Sequence, residues 1–139
     1  MAEDGGGFTI ALDPAVDAVF RSYAEGFDDF DTDRIVDCFA FPATIWQAGR
    51  GNVFTDAEDL AENVDALLDV FEREEIVRSS YDVLQAVLSG PAAFVTLAWR
   101  QEREDGEAAL EFTCHYTLHR EHWDTEEPGD WRIVLAINE

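Results

Sequence analysis

Residues 21–47 read RSYAEGFDDFDTDRIVDCFAFPATIWQ, and the order of elements in this stretch decides the fold. Asp31 precedes a short helical pattern over residues 32–39, and its carboxylate is of the type that caps a helix N-terminus. Pro42 ends helical structure, because it lacks the backbone N–H that a helix interior requires. The apolar residues after Pro42 predict a short strand. The stretch therefore predicts a helix, a short second helix and a strand in direct succession.

The helix at the start of this stretch begins upstream, at Asp13. Asp13 offers an N-cap carboxylate, and Pro14 occupies the first helical position, where its missing N–H is tolerated. Apolar residues then recur at helical spacing, so we expect Tyr23 on the buried side of the helix. The apolar positions are Val16, Val19, Phe20, Tyr23, Ala24 and Phe27.

A hairpin and a third helix follow the strand. The segment NVF, after the turn AGRGN, predicts a second short strand paired with the first. TDAE at residues 55–58 is a capping box, which predicts a third helix with Thr55 as its N-cap. The apolar stripe of this helix is Leu60, Val64, Leu67, Leu68 and Phe71.

The remainder of the chain predicts four long antiparallel strands at residues 76–88, 92–104, 107–120 and 130–137, separated by Gly-Pro, Asp-Gly and Pro-Gly turns. A two-residue Asp-Gly turn would place Glu104 opposite Glu107 and so fix the register of the second and third long strands. On the apolar face this register pairs Val95 with Tyr116, Leu97 with Cys114 and Trp99 with Phe112. On the mixed polar face it pairs Thr96 with His115, Ala98 with Thr113 and Arg100 with Glu111.

These elements predict an α+β protein in which three helices cover one face of a strongly twisted antiparallel sheet. The segments AAFVTLAW and WRIVLAI are apolar on both alternations, so part of the outer sheet face should also be covered. We therefore expect a homodimer that forms through the outer face of the sheet.

The composition is strongly acidic. The chain of 139 residues has a net charge of −22, and all 9 of its basic residues are arginine. Such a charge repels phosphate backbones and anionic lipid, so we expect no nucleic-acid partner and no membrane partner. An acidic, lysine-free composition also suits a salt-rich cytoplasm or a high-GC genome.

The start of the chain and the cysteines indicate the compartment. MAEDGGG carries no basic residue and no apolar segment, so we expect no signal peptide and interpret residues 1–12 as a flexible leader before one domain over residues 13–139. No apolar run approaches the ~20 residues that a membrane-spanning helix needs. Cys38 and Cys114 form no paired-cysteine motif, so we expect reduced core thiols. These features predict a cytoplasmic protein.

The order of helix, helix, strand pair, helix and four long strands resembles the nuclear transport factor 2-like superfamily, in particular its SnoaL-like and ketosteroid-isomerase-like branches. Residues 21–47, the capped helix after VFTD and the closing GDWRIV carry this resemblance. It implies a cystatin-like topology, in which a cone-shaped curved antiparallel sheet of about four long strands plus a short pair packs on three helices around a pocket.

The resemblance also assigns positions to the site. Tyr23 falls where the isomerases place the tyrosine that hydrogen-bonds a substrate oxyanion, which implies a catalytic donor. Gln47 falls at their general-base aspartate, and their second acid falls on Cys114 or His115, depending on where one gap is placed. An amide cannot accept a proton from carbon, so the resemblance implies an isomerase-, cyclase- or dehydratase-like protein without the usual base.

The implied pocket holds a small, largely apolar ligand and needs no cofactor. The ligand-binding residues that we predict are Tyr23, Gln47, Leu97, Trp99, Phe112, Cys114 and Tyr116. The alternative is a non-catalytic dimerisation or structural domain whose cone is filled by its own aromatic side chains, Phe20, Trp99, Phe112 and Tyr116.

Several candidate residues have a structural interpretation as well. Tyr23 is alternatively a core tyrosine, and Gln47 alternatively satisfies backbone groups at a strand end. Cys114 and His115 are consecutive strand residues that project to opposite faces, so they do not form a nucleophile and base pair. His115 and His119 lie ~13 Å apart along a strand, too far to share a metal ion. We therefore predict no metal site.

Arg100 also has two interpretations. In the predicted register it forms a cross-strand ion pair with Glu111. A slip of one residue would instead turn its guanidinium into the cone, where it would bind an anionic ligand.

Overall fold

Three helices pack against one face of a curved six-stranded sheet in the computed structural model, which describes residues 10–139. The predicted α+β fold is confirmed, with strand order β2-β1-β6-β5-β4-β3. Residues 1–9 of the predicted leader lie outside the described residues, and Leu12 packs against the core. The elements are α1 (Pro14–Asp28), α2 (Thr32–Val36), β1 (Phe39–Gln47), β2 (Arg50–Phe54), α3 (Ala57–Arg73), β3 (Ile76–Ser89), β4 (Ala92–Arg103), β5 (Ala108–His119) and β6 (Arg132–Asn138).

Side-chain caps fix the starts of the first two helices as the sequence predicts. The Asp13 carboxylate accepts hydrogen bonds from the backbone N–H groups of Ala15 (3.1 Å) and Val16 (3.4 Å) at the start of α1. Asp31 accepts from the N–H of Arg34 (3.2 Å) at the start of α2. These bonds satisfy donors that have no partner within the helix.

The third helix starts one residue later than predicted. Asp56, not Thr55, is the N-cap, because Asp56 has the extended backbone and its carboxylate accepts from the N–H of Asp59 (2.9 Å). The Thr55 hydroxyl instead donates to the Asp59 side chain (2.9 Å). The predicted second helix is also too long, since α2 ends at Val36 and β1 already begins at Phe39.

The register of β4 and β5 matches the prediction along most of the hairpin. Leu97 lies opposite Cys114 and Trp99 lies opposite Phe112, so both pairs project from the inner face. The predicted two-residue turn is wrong, because the Arg103 N–H donates to the Glu107 carbonyl (2.8 Å) across a loop of residues 104–106. An irregularity in pairing after Gln101 then restores the predicted register.

The first strand departs from the predicted antiparallel pattern. β1 pairs antiparallel with β2 through a tight turn at Ala48 and Gly49, shorter than predicted, in which both residues have positive φ. On its other edge β1 pairs parallel with β6. Pro42 lies where that pairing is irregular, as expected for a residue without an N–H to donate.

The hydrophobic core fills the space between the helices and the inner sheet face. Phe20 of α1 is fully buried and contacts the Tyr116 ring at a centroid distance of 4.8 Å. Tyr81 and Trp99 meet on the neighbouring strands at 5.1 Å. The hydroxyl of Tyr81 donates to Asp17 (2.7 Å), which ties β3 to α1. This aromatic cluster closes one end of the interior.

The outer face of the sheet carries large apolar side chains. Trp46, Val87, Phe94 and Ile137 are between 41% and 48% exposed. Their strand partners place them on the face opposite to the buried residues. Within residues 10–139, we find no helix that has both the length and the apolar character to cross a membrane.

Replacing Leu97, which is fully buried on β4, with alanine should lower the free energy of unfolding by about 2–5 kcal/mol, because it leaves a cavity in close-packed surroundings. The same substitution at exposed Leu84 on β3 should cost less than about 1 kcal/mol. Urea denaturation followed by circular dichroism measures both values. Equal losses for the two variants would contradict the described core.

Candidate functional site

A cavity of about 290 Å³ remains between the sheet and the helices, next to the aromatic cluster, whose Trp99 and Tyr116 form part of its wall. It opens where the β1–β2 hairpin, α3 and the ends of β5 and β6 meet. Its inner walls are aromatic and aliphatic side chains from both helices and strands. The buried apolar residues of these walls include Phe27, Ile35, Phe39, Leu60, Val64 and Phe71.

Most of the ligand-binding residues predicted from the sequence meet at this cavity. They come from α1, β1, β4 and β5, and only the tertiary structure brings them together. Those that line it are Tyr23, Gln47, Trp99, Phe112 and Tyr116.

Leu97 and Cys114 do not line the cavity, although they project from the same sheet face. Both are buried, and they lie opposite each other on β4 and β5. The indole N–H of Trp99 donates to the Tyr116 hydroxyl (2.9 Å), and this bond joins the positions on either side of the pair. The two aromatic side chains therefore separate Leu97 and Cys114 from the cavity.

Tyr23 presents its phenol to the cavity from α1. Its ring is held by edge-on contacts with Phe27, Phe39 and Trp99 at centroid distances of 5.0, 5.8 and 5.9 Å. Its hydroxyl forms no hydrogen bond with any residue in the part of the chain that the structure describes. Burial raises the pKa of Tyr23 far above its usual value. Tyr23 is therefore a neutral phenol that can donate a hydrogen bond to a ligand.

Tyr116 differs from Tyr23 because its hydroxyl already has a protein partner. One lone pair accepts the N–H of Trp99, and burial raises the pKa of Tyr116 well above its usual value. Both groups are buried, so the bond fixes the orientation of two large rings in the wall.

Sequence reasoning missed Gln101, which is buried and lines the cavity. It follows Trp99 by two residues on β4, so strand alternation places it on the same inner face. This alternation could have predicted from the sequence that Gln101 lies on the same face as Trp99.

Polar groups also surround the mouth of the cavity. Gln47 and Asn63 of α3 are exposed there, and Asn138 of β6 is half-buried. Glu139 also lines the mouth, but its side-chain carboxylate turns to the outer face, where it contacts the Nε2 atom of His115 (2.6 Å). Gln47 therefore occupies the rim of the cavity and not its interior.

The two cysteines are buried free thiols. Burial raises the pKa of Cys38 and of Cys114 to about 11. Cys114 faces the core, whereas His115 is on the outer face, where its Nδ1 lies 3.0 Å from the Thr96 hydroxyl. The predicted separation of Cys114 from His115 is confirmed, and neither thiol is placed to act as a nucleophile.

Arg100 lies on the outer face, as the predicted register requires. Its guanidinium contacts Glu102 (2.5 Å) and Glu111 (3.5 Å). The alternative in which Arg100 enters the cavity is wrong, because the pairing of Arg100 with Glu111 holds. Among residues 10–139, no group of three or more His, Cys, Asp or Glu side chains is arranged to hold a metal ion.

A wider depression of about 710 Å³ lies beside β1 and the segment before β6. Its rim consists of exposed charged or polar side chains such as Asp37, His119 and Asp130. A small-molecule site instead combines buried apolar walls with a few convergent polar groups. The smaller cavity with Tyr23 and Gln101 is therefore the candidate site.

Comparisons with known proteins agree with this architecture. Residues 13–139 match the family described as NTF2-like protein (DUF6841). The comparison with curated proteins found no significant match.

Solved structures with the same fold are distant in sequence. An NTF-2 like protein of unknown function from Shewanella oneidensis is 12% identical, with a TM-score of 0.67 over 89% of this chain and 95% of the other. A domain of unknown function with a cystatin-like fold from Nostoc punctiforme is 14% identical, with a TM-score of 0.70 over 89% and 74%. A ketosteroid isomerase-like protein from Erwinia carotovora atroseptica is 18% identical, with a TM-score of 0.60 over 89% and 92%. These likenesses support the fold.

The buried thiols should make stability fall at high pH. The folded protein holds the thiol protons of Cys38 and Cys114 more tightly than the unfolded chain, with pKa values of about 11 against 9.0. Their contribution is therefore complete below pH 9 and is lost as the pH rises towards 11, by about 1 kcal/mol per thiol at pH 10. Urea denaturation between pH 7.5 and 10.5 measures this decline.

The matched control for that measurement is the double variant Cys38→Ala, Cys114→Ala. Its absolute stability will be lower, but its decline between about pH 9 and 10 should be shallower than that of the unaltered protein. Identical slopes for the two proteins would show that the thiols do not cause the decline.

Proposed function

The chain belongs to the DUF6841 family of NTF2-like proteins, and on this premise we propose that it binds a small, neutral, largely apolar molecule in the cavity beside Tyr23. The observation that carries this proposal is a cavity with apolar walls and a phenol that has no partner among residues 10–139. Its volume of about 290 Å³ lies just below the roughly 300–1,000 Å³ of small-molecule sites. A molecule the size of a fused bicyclic ring is the expected occupant.

The charges around the cavity favour a neutral ligand. No arginine, lysine or histidine is among the described residues that line it. A bound carboxylate or phosphate would lose its hydration without gaining a cationic partner, which is costly in an apolar interior. The net charge of −22 adds a repulsive field at the mouth.

The same lining gives little support to carbon-acid chemistry with a carboxylate base. Among the described lining residues, Glu139 is the only one with an acidic side chain, and that carboxylate contacts His115 of the outer face. Tyr23 keeps its proton because burial raises its pKa. If the bound molecule reacts, isomerisation, cyclisation or dehydration would therefore depend on Tyr23 as a hydrogen-bond donor.

The alternative role, a structural domain with a filled cone, has less support. Phe20, Tyr81 and Tyr116 fill the closed end of the interior. At the other end, Trp99 and Phe112 form part of the cavity wall and leave the centre open. An interior filled only at one end favours ligand binding over a purely structural role.

A homodimer through the outer sheet face is also part of this proposal. Trp46, Phe94 and Ile137 are exposed there on a protein whose remaining surface is highly charged. Exposed apolar patches of this kind are typical of protein interfaces. A second copy would present the same apolar face and would therefore be self-complementary.

The cytoplasmic location predicted from the sequence remains a proposal. Two buried cysteines without a disulfide are consistent with a reducing compartment, where thiols persist.

Replacing Tyr23 with phenylalanine tests the ligand site. We expect 2-naphthol, a bicyclic alcohol, to bind the unaltered protein and to bind Tyr23→Phe about 5–10-fold more weakly, because one hydrogen bond is lost. Tyr81→Phe is the matched control, since the Tyr81 hydroxyl bonds to Asp17 outside the cavity. Isothermal titration calorimetry measures the dissociation constants.

In the same titration, the anion 2-naphthoate should bind far more weakly than 2-naphthol. The proposal would be contradicted by equal binding of the alcohol and the anion. An equal effect of the Tyr23 and Tyr81 substitutions would contradict the assigned role of Tyr23.

Replacing Phe94 with aspartate tests the dimer. The unaltered protein at micromolar concentration in about 1 M salt should sediment with twice the mass of one chain, and Phe94→Asp should sediment as a monomer. High salt is needed because it screens the repulsion between two acidic chains. Phe30→Asp is the control, since Phe30 is similarly exposed but lies in the turn after α1 and not on a strand. A monomeric unaltered protein under these conditions would exclude the proposed dimer.

A further inference from the structure

The inner part of the cavity contains one buried amide, the side chain of Gln101. Only 5% of this residue is exposed, and it lines the cavity. Its carboxamide makes no hydrogen bond with any residue of the described part of the chain. The oxygen and nitrogen atoms of this carboxamide are not fully enclosed by protein atoms, so they face the cavity. A buried amide without partners is costly, which makes Gln101 a marker for the polar end of a ligand.

The strand next to Gln101 adds no partner for this amide. Ser79 of β3 lies directly opposite Gln101 and is also buried. Its backbone N–H donates to Asp28 (2.7 Å), while its hydroxyl has no partner among the described residues. Two neighbouring polar side chains on the inner face are therefore unsatisfied by the protein itself. The Ser79 hydroxyl is enclosed by protein atoms and does not line the cavity, so Gln101 by itself supplies the polar end of the inner wall.

Tyr23 reaches the same cavity from the helix side. Trp99, two residues before Gln101 on the same face, contacts the Tyr23 ring at 5.9 Å. The available groups are then one phenol donor and one carboxamide, which offers N–H donors beside a carbonyl acceptor. A ligand that satisfies the carboxamide must carry an acceptor next to a donor. A cis-amide, as in a lactam, has this pattern in one rigid, neutral group.

The walls around this polar end suit a flat ring system. Phe27 and Phe71 stack at a centroid distance of 5.2 Å, and Phe39 and Trp99 complete an aromatic lining. With a volume of about 290 Å³, the cavity takes a bicyclic molecule but not an extended one.

From these observations we propose that the ligand is a neutral lactam of bicyclic size and that Gln101 determines specificity by pairing with the lactam N–H and C=O groups. This inference rests on the proposed function and adds the chemical class of the ligand. Gln101 is thus a recognition residue at the inner end of the cavity, whereas Gln47, Asn63 and Asn138 meet solvent at its mouth.

Two closely related probes test this proposal on the unaltered protein. 2-Quinolinone carries the lactam N–H beside its carbonyl, and 1-methyl-2-quinolinone has the same rings and carbonyl but no N–H. Calorimetric titration should give at least about tenfold tighter binding of 2-quinolinone, since its N–H pairs with the buried amide oxygen. Naphthalene serves as the fully apolar reference and should bind more weakly than 2-quinolinone.

Variants then assign this preference to one residue. Gln101→Met keeps the length of the side chain but removes its hydrogen-bonding groups, so the preference for 2-quinolinone over its methyl derivative should disappear. Gln85→Met, the same substitution at an exposed position of β3 that does not line the cavity, should leave the preference intact. Circular dichroism confirms that each variant is folded, and the comparison of probes on the unaltered protein stands without any variant.

The possible results separate the two proposals. If 2-quinolinone, its methyl derivative and naphthalene bind equally, the lactam assignment is wrong while binding of apolar molecules stands. If the preference exists but survives Gln101→Met, the assignment to Gln101 is wrong. If none of the three probes and no 2-naphthol bind to the folded protein, the proposed ligand-binding function fails, and the lactam assignment fails with it.

Discussion

The interior of this protein depends on one buried hydrogen bond, which the Trp99 indole N–H donates to the Tyr116 hydroxyl (2.9 Å). It joins diagonal positions on β4 and β5 across the Leu97–Cys114 pair. Both side chains are buried, and removing either partner would leave a polar group unsatisfied at a cost of about 1–3 kcal/mol. The bond therefore holds two large rings in one arrangement, with close-packed core on one side and a cavity on the other.

Charged and apolar side chains are also separated in this protein. The chain carries a net charge of −22, yet its cavity wall and the outer face of its sheet are both rich in apolar side chains. We expect long-range repulsion to disfavour anionic partners, and we expect association to be favourable at the apolar surfaces. A neutral ligand in the cavity and a second copy of the chain on the outer sheet face are consistent with that separation.

Most of the fold could be predicted from local sequence, and the errors have local causes. The caps at Asp13 and Asp31 and the pairing of Trp99 with Phe112 depend on neighbouring residues and strand alternation, and all three are observed. The predicted two-residue turn at Asp105 was wrong, because the loop has one residue more. An irregularity in pairing further along the strand compensates for this extra residue and so preserves the predicted register. The parallel pairing of β1 with β6 joins segments that are distant in sequence, and no local pattern reports it.

The sequence by itself determined the order of elements, the acidic surface and the side of helix or strand from which Tyr23, Trp99 and Phe112 project, because those properties follow from composition and periodicity. Only the tertiary structure decided that Gln101 reaches the cavity while Leu97 and Cys114 lie beneath the Trp99–Tyr116 bond. Periodicity assigns a residue to a face. Whether that residue meets a ligand or another side chain depends on what the helices place opposite it, and this is settled by packing between distant parts of the chain.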